Sequence, residues 1–189
     1  DTLDIALAAQ GTDIVPALAL GSEMPEPGVM DRPPRSLKEH VIDKTLLTRA
    51  YFWLGPVQSL AAMAAFYYVY WTNGYWGQFM DLPSSGSLYT AGTAMALAAV
   101  VATQIGNLFA QRSEIVSSFR FSLLNNKLIW LGIITELTLI AGIVYAPFLQ
   151  KFIGTSSFPL VNWLFLFAWT PSLLLVDEVR KALVRAKMR

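Results

Sequence analysis

Residues 11–16, "GTDIVP", place a hydroxyl, a carboxylate and a proline together in an otherwise apolar segment. Pro16 has no backbone N–H, so the carbonyl of Thr12, four residues earlier, would lose its helical donor. Gly11 makes the backbone at this point easy to unwind. Carbonyl, hydroxyl and carboxylate oxygens are hard ligands that suit alkali or alkaline-earth cations, or hydrated protons. The pattern therefore predicts a cation site at Thr12 and Asp13.

Three more polar residues lie in apolar surroundings. Glu136 stands within "IITELTLIAGIVYAPF", and the amides of Gln104 and Asn107, three residues apart, share one face of a helix. A carboxylate inside a bilayer costs about 2.5–3.5 kcal/mol on insertion scales, so it usually faces the bundle interior, a partner or an ion. Amides in a membrane also join helices to one another. The alternative is that Asp13 only pairs with a neighbouring helix and that Pro16 is only a kink.

The elements that must position these residues are membrane helices. The 189 residues are 54% hydrophobic and 14% charged with a mean hydropathy of +0.46, values typical of a membrane protein. A spanning helix needs about 20 apolar residues. Residue 1 is interpreted as an internal cut in a longer protein, because acids stand where a secretory signal would be basic. We predict an all-α membrane protein with five transmembrane helices, at about 3–21, 50–71, 88–109, 128–149 and 159–176.

The basic residues predict the topology. If the five helices alternate, every lysine and arginine except Lys151 falls on one side, so by the positive-inside rule that side is cytoplasmic. The loops 22–49 and 110–127 and the tail from Asp177 are then cytoplasmic, and the segments 72–87 and 150–158 are external. We therefore expect a multi-pass protein, in the plasma membrane, with a cytoplasmic C-terminus. Aromatic residues that favour the interface cluster at the predicted external ends of the second and third helices: Trp71, Tyr75, Trp76 and Tyr89.

The run "GTDIVPALALGSEMPEPGVMDRPPR" closely resembles the sixth membrane helix, and the loop after it, of P-type cation-transporting ATPases of the calcium and sodium/potassium pump group. "TQIGNLFAQRS" is similar to the end of the eighth helix in that family, "LGIITELTLIAGIVYAPFLQ" to the ninth, and "DEVRKALVR" to the end of the tenth. The resemblance implies that residues 1–189 form the C-terminal transmembrane domain of such a pump, with the bundle of five helices corresponding to helices six to ten of ten.

The resemblance also implies roles for individual residues. Thr12 and Asp13 match cation ligands of the sixth helix. Gln104 matches a ligand glutamate of calcium pumps and a glutamine of sodium/potassium pumps. Asn107 matches an aspartate of sodium/potassium pumps, and Glu136 matches an acid linked there to a third sodium site. This pattern favours the sodium/potassium type.

Ala9 departs from the family pattern, which has Asp or Asn one turn before Asp13. This difference removes one ligand from the implied site. "DKTLL" at 43–47 begins like the phosphorylation motif "DKTGT" of ion pumps but lacks its last two residues. His40 is the only histidine and has no companion ligand, and the absence of cysteine excludes disulfides and thiolate metal sites. The segment is thus expected to hold no catalytic residue and no cofactor of its own.

For the full-length pump the resemblance implies ATP and Mg²⁺ as cofactors. The expected partners are a transported cation (Na⁺, K⁺, Ca²⁺ or H⁺), the lipid bilayer and the remaining N-terminal part of the pump, with no nucleic acid. Two alternatives from other classes stay open at this point. One is a stand-alone passive channel or secondary carrier, and the other is a structural or regulatory membrane segment that transports nothing.

The topology can be tested by cysteine labelling, because this chain has no cysteine of its own. In the full-length protein, a cysteine at Ser85 should react with an impermeant thiol reagent added outside the cell, whereas a cysteine at Ser117 should not. Labelling of the unsubstituted protein gives the background. The opposite labelling pattern would exclude the predicted orientation.

Overall fold

The computed structural model describes residues 14–23, 44–122 and 125–187, and every regular element within these ranges is a helix. By length and composition, two of the helices in these ranges are long and apolar enough to cross a membrane, Ser87–Ala110 and Lys127–Tyr145. The all-α prediction agrees with this architecture, and the count of five spans stays a prediction. The helices are 14–21 (α1), Lys44–Thr48 (α2), Gly55–Thr72 (α3), Ser87–Ala110 (α4), Lys127–Tyr145 (α5), Pro147–Ile153 (α6) and Asn162–Lys187 (α7), with a π-helical turn at Arg49–Leu54 and a 3₁₀ turn at Ser118–Arg120.

The π-helical turn joins α2 to α3 and has a cause in the sequence. Pro56 has no N–H, and its ring would collide with the carbonyl four residues earlier in a regular α-helix. Gly55 instead donates its N–H to the carbonyl of Ala50, five residues back. The helix therefore widens by one residue, and this turn begins with Arg49, which is buried.

The predicted span 128–149 is interrupted. The backbone is extended at Ala146, with φ −81° and ψ 118°, because the following Pro147 disfavours helical geometry in the residue before it. The chain then turns into the short helix α6. The hydroxyl of Thr155 donates to the carbonyl of Ile143 at 2.8 Å, which satisfies an acceptor left open at the end of α5.

The last helix is longer than its apolar stretch. The predicted span 159–176 corresponds to the first part of α7, and the residues expected to form a tail from Asp177 continue the helix to Lys187. Asp177 and Lys181 form an i,i+4 ion pair at 3.2 Å, which stabilises this polar extension. The extension lies against the loop 111–122, as the contacts of Lys181 below show.

The core consists of two apolar clusters that meet on α4. The larger cluster joins α3, α4, α5 and α7 and is rich in small residues, including Ala65, Ala94 and Ala98. The smaller one, called here the α1–α4–α5 cluster, consists of Ala19, Ile105, Leu108, Ile129 and Ile133. α4 therefore lies at the centre of the bundle.

Two helices approach each other closely at Gly106 of α4. A methyl group at this position would overlap the backbone carbonyl oxygen of Thr170 in α7. Small residues allow membrane helices to pack backbone against backbone, where dispersion contacts are most numerous. Gly106 therefore fixes how α4 and α7 pack.

We expect Gly106→Ala to destabilise the full-length protein by about 1–3 kcal/mol, because the added methyl group meets a backbone atom that cannot rotate away. Gly142→Ala in α5 is the matched control, since its methyl group would make an ordinary contact at 3.4 Å with the side chain of Leu149. The measurement is the Tm of the detergent-purified protein. Equal Tm values for Gly106→Ala and the wild type would contradict the close approach.

Candidate cation site

Helices α4 and α5, which carry Gln104, Asn107 and Glu136, pack with α1 on the α1–α4–α5 cluster. Ala19 comes from α1, Ile105 and Leu108 from α4, and Ile129 and Ile133 from α5. Apolar burial on this cluster holds the three helices side by side. Gln104, Asn107 and Glu136 are thus carried by neighbouring helices, although they are distant in sequence.

Glu136 is fully buried at 0% exposure. Gly132, one turn earlier on the same face of α5, lies so close to α1 that an added methyl group would sit 3.1 Å from the Cα of Pro16. A larger residue at 132 would push α1 away. Glu136 therefore belongs to the face of α5 against which α1 packs.

The register between α1 and α5 is antiparallel. The side-chain amide of Asn126 donates to the carbonyl of Ala19 at 3.0 Å, and Gly132 lies against Pro16. Moving forward along α5 thus means moving backward along α1. The predicted site residues Gly11, Thr12 and Asp13 precede the described part of α1 and lie outside the described residues.

The predicted amide pair is in contact. Asn107 donates from Nδ2 to Oε1 of Gln104 at 2.9 Å, and Gln111 donates from Nε2 to Oδ1 of Asn107 at 3.2 Å. All three side chains are half-buried and follow one face of α4. Each amide is therefore oriented by its neighbour. This arrangement is compatible with cation binding by the amide oxygens and with a purely structural role.

Within the described ranges, no three His, Cys, Asp or Glu side chains form a group that could hold a metal ion. A cation site among these residues would therefore rely on amide, hydroxyl or backbone oxygens beside at most two such side chains. Hard monovalent cations accept such oxygen ligands. The full set that the sequence predicts includes Asp13, which these ranges leave out.

A buried ionic group lies at the end of the bundle where α4 ends, and the sequence analysis missed it. The carboxylate of Asp177 is 0% exposed and accepts from Arg49 Nε and Nη2 at 3.1 and 3.0 Å. Arg180 Nε donates to it at 2.7 Å, and Lys181 Nζ lies 3.2 Å away. We call Arg49, Asp177, Glu178, Arg180 and Lys181 the α7 charge cluster.

The α7 charge cluster also binds the loop 111–122. Lys181 Nζ donates to the carbonyl of Ala110 and to the hydroxyl of Ser118, both at 2.8 Å. Glu178 accepts from the backbone N–H of Ser118 at 2.7 Å, and Arg185 donates to the carbonyl of Ile115 at 2.7 Å. The polar extension of α7 therefore fixes the loop between α4 and α5.

A second ionic contact lies at the same end of the bundle. Arg112 Nη2 donates to Oε1 of Glu23 at 2.7 Å, and Asn126 Nδ2 donates to Oε2 of the same carboxylate at 2.8 Å. Burial alone would raise the pKa of Glu23, but the hydrogen bonds from Arg112 and Asn126 outweigh it and hold this pKa below its usual value. The carboxylate thus ties the residues after α1 to α4 and α5.

Asp177 is kept ionised by its neighbours. Burial alone would raise the pKa of Asp177, but the hydrogen bond from Arg180 and the charges of Arg49, Arg180 and Lys181 outweigh burial and lower this pKa. The i,i+4 spacing of Asp177 and Lys181 was the available sequence signal. It could not reveal Arg49, which is 128 residues away in the sequence.

Comparison with known proteins decides the family. The family model described as "Cation transporting ATPase, C-terminus" matches residues 6–183. The chain belongs to this family. The resemblance found in the sequence is confirmed.

Individual relatives agree with this assignment. Potassium-transporting ATPase alpha chain 2 of Rattus norvegicus is 28% identical over 97% of this chain and 20% of its own length. The human protein of the same name is 27% identical over the same shares. Sodium/potassium-transporting ATPase subunit alpha-4 of Rattus norvegicus is 27% identical over 98% of this chain and 20% of its own length. The chain therefore spans about a fifth of the length of these relatives.

Asp177→Asn tests the α7 charge cluster. The substitution keeps the shape but leaves Arg49 and Lys181 buried without a full counter-charge, so we expect a loss of about 3–5 kcal/mol of stability. Asp81→Asn is the matched control, because Asp81 is exposed and asparagine tolerates its positive φ of 57°. Thermal unfolding of both full-length variants is the measurement. Similar Tm values for the two would contradict a structural role for Asp177.

Acid should weaken the same contacts. Glu23, Asp177 and Glu178 all have a pKa below the usual value in the folded protein. Their stabilisation is therefore complete above the unfolded pKa of about 4 and is lost as the pH falls through the lower folded values. We expect a constant Tm between about pH 7 and pH 5 and a decline below about pH 4. The decline should be smaller in Asp177→Asn, and an equal decline would contradict the assignment.

Proposed function

We propose that this chain is the C-terminal ion-path and anchoring segment of an ATP-driven P-type cation pump, and that it supplies part of the intramembrane cation site. The observation that carries the proposal is the position of Glu136, fully buried on the face of α5 against which Pro16 of α1 packs. Family membership supports it, and the relatives are named as potassium-transporting and sodium/potassium-transporting ATPases.

The proposed site combines residues of three helices. Glu136 lies one turn, about 6 Å, beyond Gly132, towards the N-terminal end of the antiparallel α1. Oxygens of Thr12, Gln104 and Asn107 complete the proposed ligand set. They replace the hydration shell of the cation.

The amides of α4 suit this role because of their mutual contact. The Oε1 atom of Gln104 accepts from Asn107, and the Oδ1 atom of Asn107 accepts from Gln111. An amide oxygen has two lone pairs, so each of these oxygens keeps one for a cation. Gln111 acts here as a positioning residue.

Transport would depend on residues 11–16. Pro16 has no N–H to donate and Gly11 makes the backbone easy to unwind, and broken membrane helices recur at cation sites near the bilayer midplane. Ion binding would order this segment against α5, and release would loosen it. The ATP and Mg²⁺ chemistry belongs to the N-terminal part of the full-length pump, so this segment alone would hydrolyse no ATP.

Asp13→Asn in the full-length protein tests the site. The substitution keeps shape and removes charge, so it should raise the cation concentration that half-stimulates phosphoenzyme formation by about tenfold or more, or abolish the stimulation. Expression and membrane insertion should be unchanged. Ala9→Asp, which restores an acid one turn away, should lower that concentration.

The control for this experiment is Thr138→Val, a substitution at an exposed position of α5 near Glu136. It should leave cation stimulation unchanged, whereas Glu136→Gln should weaken it. Wild-type stimulation in both Asp13→Asn and Glu136→Gln would exclude the proposed site. The structural alternative, in which these polar residues only join helices, would then be favoured.

A further inference from the structure

The π-helical turn Arg49–Leu54 joins α2 to α3 within one continuous helical segment. A π-helical turn closes hydrogen bonds between residues five apart, so it holds one residue more than an α-helical turn. At 3.6 residues per turn, one extra residue shifts all earlier residues around the helix axis by about 100°. The turn therefore decides which side chain before α3 faces α7.

That side chain is Arg49. It is buried at 7% exposure and donates from Nε and Nη2 to the carboxylate of Asp177 in α7, at 3.1 and 3.0 Å. The next residue, Ala50, is exposed. An uninterrupted α-helix would lack the extra residue, so Ala50 would take the position around the axis that Arg49 has now. Arg49 would then be turned away from Asp177 by about 100°.

Two neighbouring residues at the start of α3 favour the wide turn. Pro56 has no N–H for the carbonyl of Phe52, and its ring would collide with that carbonyl in an α-helix. Gly55 donates to the carbonyl of Ala50, and a methyl group at Gly55 would lie only 3.0 Å from that carbonyl oxygen. The proline thus disfavours the α-helical alternative, and the glycine leaves room for the hydrogen bond that replaces it.

We propose that Pro56 is a positioning residue, which sets the rotation of the segment before α3 and so brings Arg49 to Asp177. Asp177 also contacts Lys181, which donates to the carbonyl of Ala110 at the end of α4. A backbone feature at the start of α3 therefore acts on α7 and α4 through one arginine. None of these contacts involves the proposed cation site.

The test is a rescue experiment in the full-length protein. Pro56→Ala removes the obstacle to a regular α-helix, and Ala50→Arg places a guanidinium group where that helix would present it to Asp177. The measurement is the Tm of the detergent-purified protein. Ala50→Arg should raise the Tm of the Pro56→Ala variant and should not raise the Tm of the wild type. The gain should disappear when Asp177→Asn is added, which distinguishes pairing with Asp177 from general stabilisation.

Arg49→Gln gives the complementary measurement. It should lower the Tm of the wild type and have a smaller effect in Pro56→Ala, where Arg49 no longer meets Asp177. Pro147→Ala is the matched control, because it removes a proline from the start of α6 and should leave the effect of Arg49→Gln unchanged. Equal effects of Arg49→Gln with and without Pro56 would overturn the proposal. Failure of Ala50→Arg to raise the Tm of Pro56→Ala, or to restore that variant if it does not fold, would also overturn it.

Discussion

The carboxylate of Asp177 is shielded completely from solvent, and a charge in that position is stable only when opposite charges and hydrogen bonds compensate for its lost hydration. Arg49, Arg180 and Lys181 provide this compensation. Arg49 belongs to the π-helical turn before α3. Lys181 contacts the same carboxylate and also donates a hydrogen bond to the carbonyl of Ala110 at the end of α4. One buried acid thus joins three helices at one end of the bundle, and removing it would leave buried cations behind.

The fixed end of the bundle determines where the candidate ligands lie. α4 contacts the α7 charge cluster through the carbonyl of Ala110, and it packs backbone against backbone with α7 at Gly106. Gln104 and Asn107 are within a turn of that contact, so their depth is set by the packing of α4 on α7. On the other side, the carboxylate of Glu23 ties the end of α1 to Arg112 and Asn126. α1 is therefore anchored after Pro16, at its C-terminal end.

The sequence predicted much of this arrangement because the local rules were simple. Apolar stretches predicted an all-helical chain, and a spacing of three predicted the shared face of Gln104 and Asn107, whose amides are 2.9 Å apart. The interruption at Pro147 was also readable, since proline restricts the residue before it. It was missed because the apolar run continues on both sides. The ligand roles of Asp13 and Thr12 stay predictions.

Other features were not accessible from the sequence, because they depend on pairing over long distances. Arg49 was interpreted only as a marker of the cytoplasmic side, yet its guanidinium group is buried against Asp177. Lysines and arginines near helix ends look alike in a sequence, and only the fold decides which of them meets a carboxylate. The close approach of Gly106 to Thr170 was likewise not predictable, because a glycine in an apolar helix does not show which helix packs against it.

The central claim is that helices of this chain help to enclose a transported cation. Equilibrium retention of isotopically labelled Na⁺, K⁺ and Ca²⁺ by the purified full-length protein, without ATP, tests it most directly, because it measures the site and not the enzymatic cycle. The account predicts saturable retention of at least one of these cations that is lost when Glu136 and Asp13 are both neutralised. Retention that is unchanged in the doubly neutralised protein would contradict it.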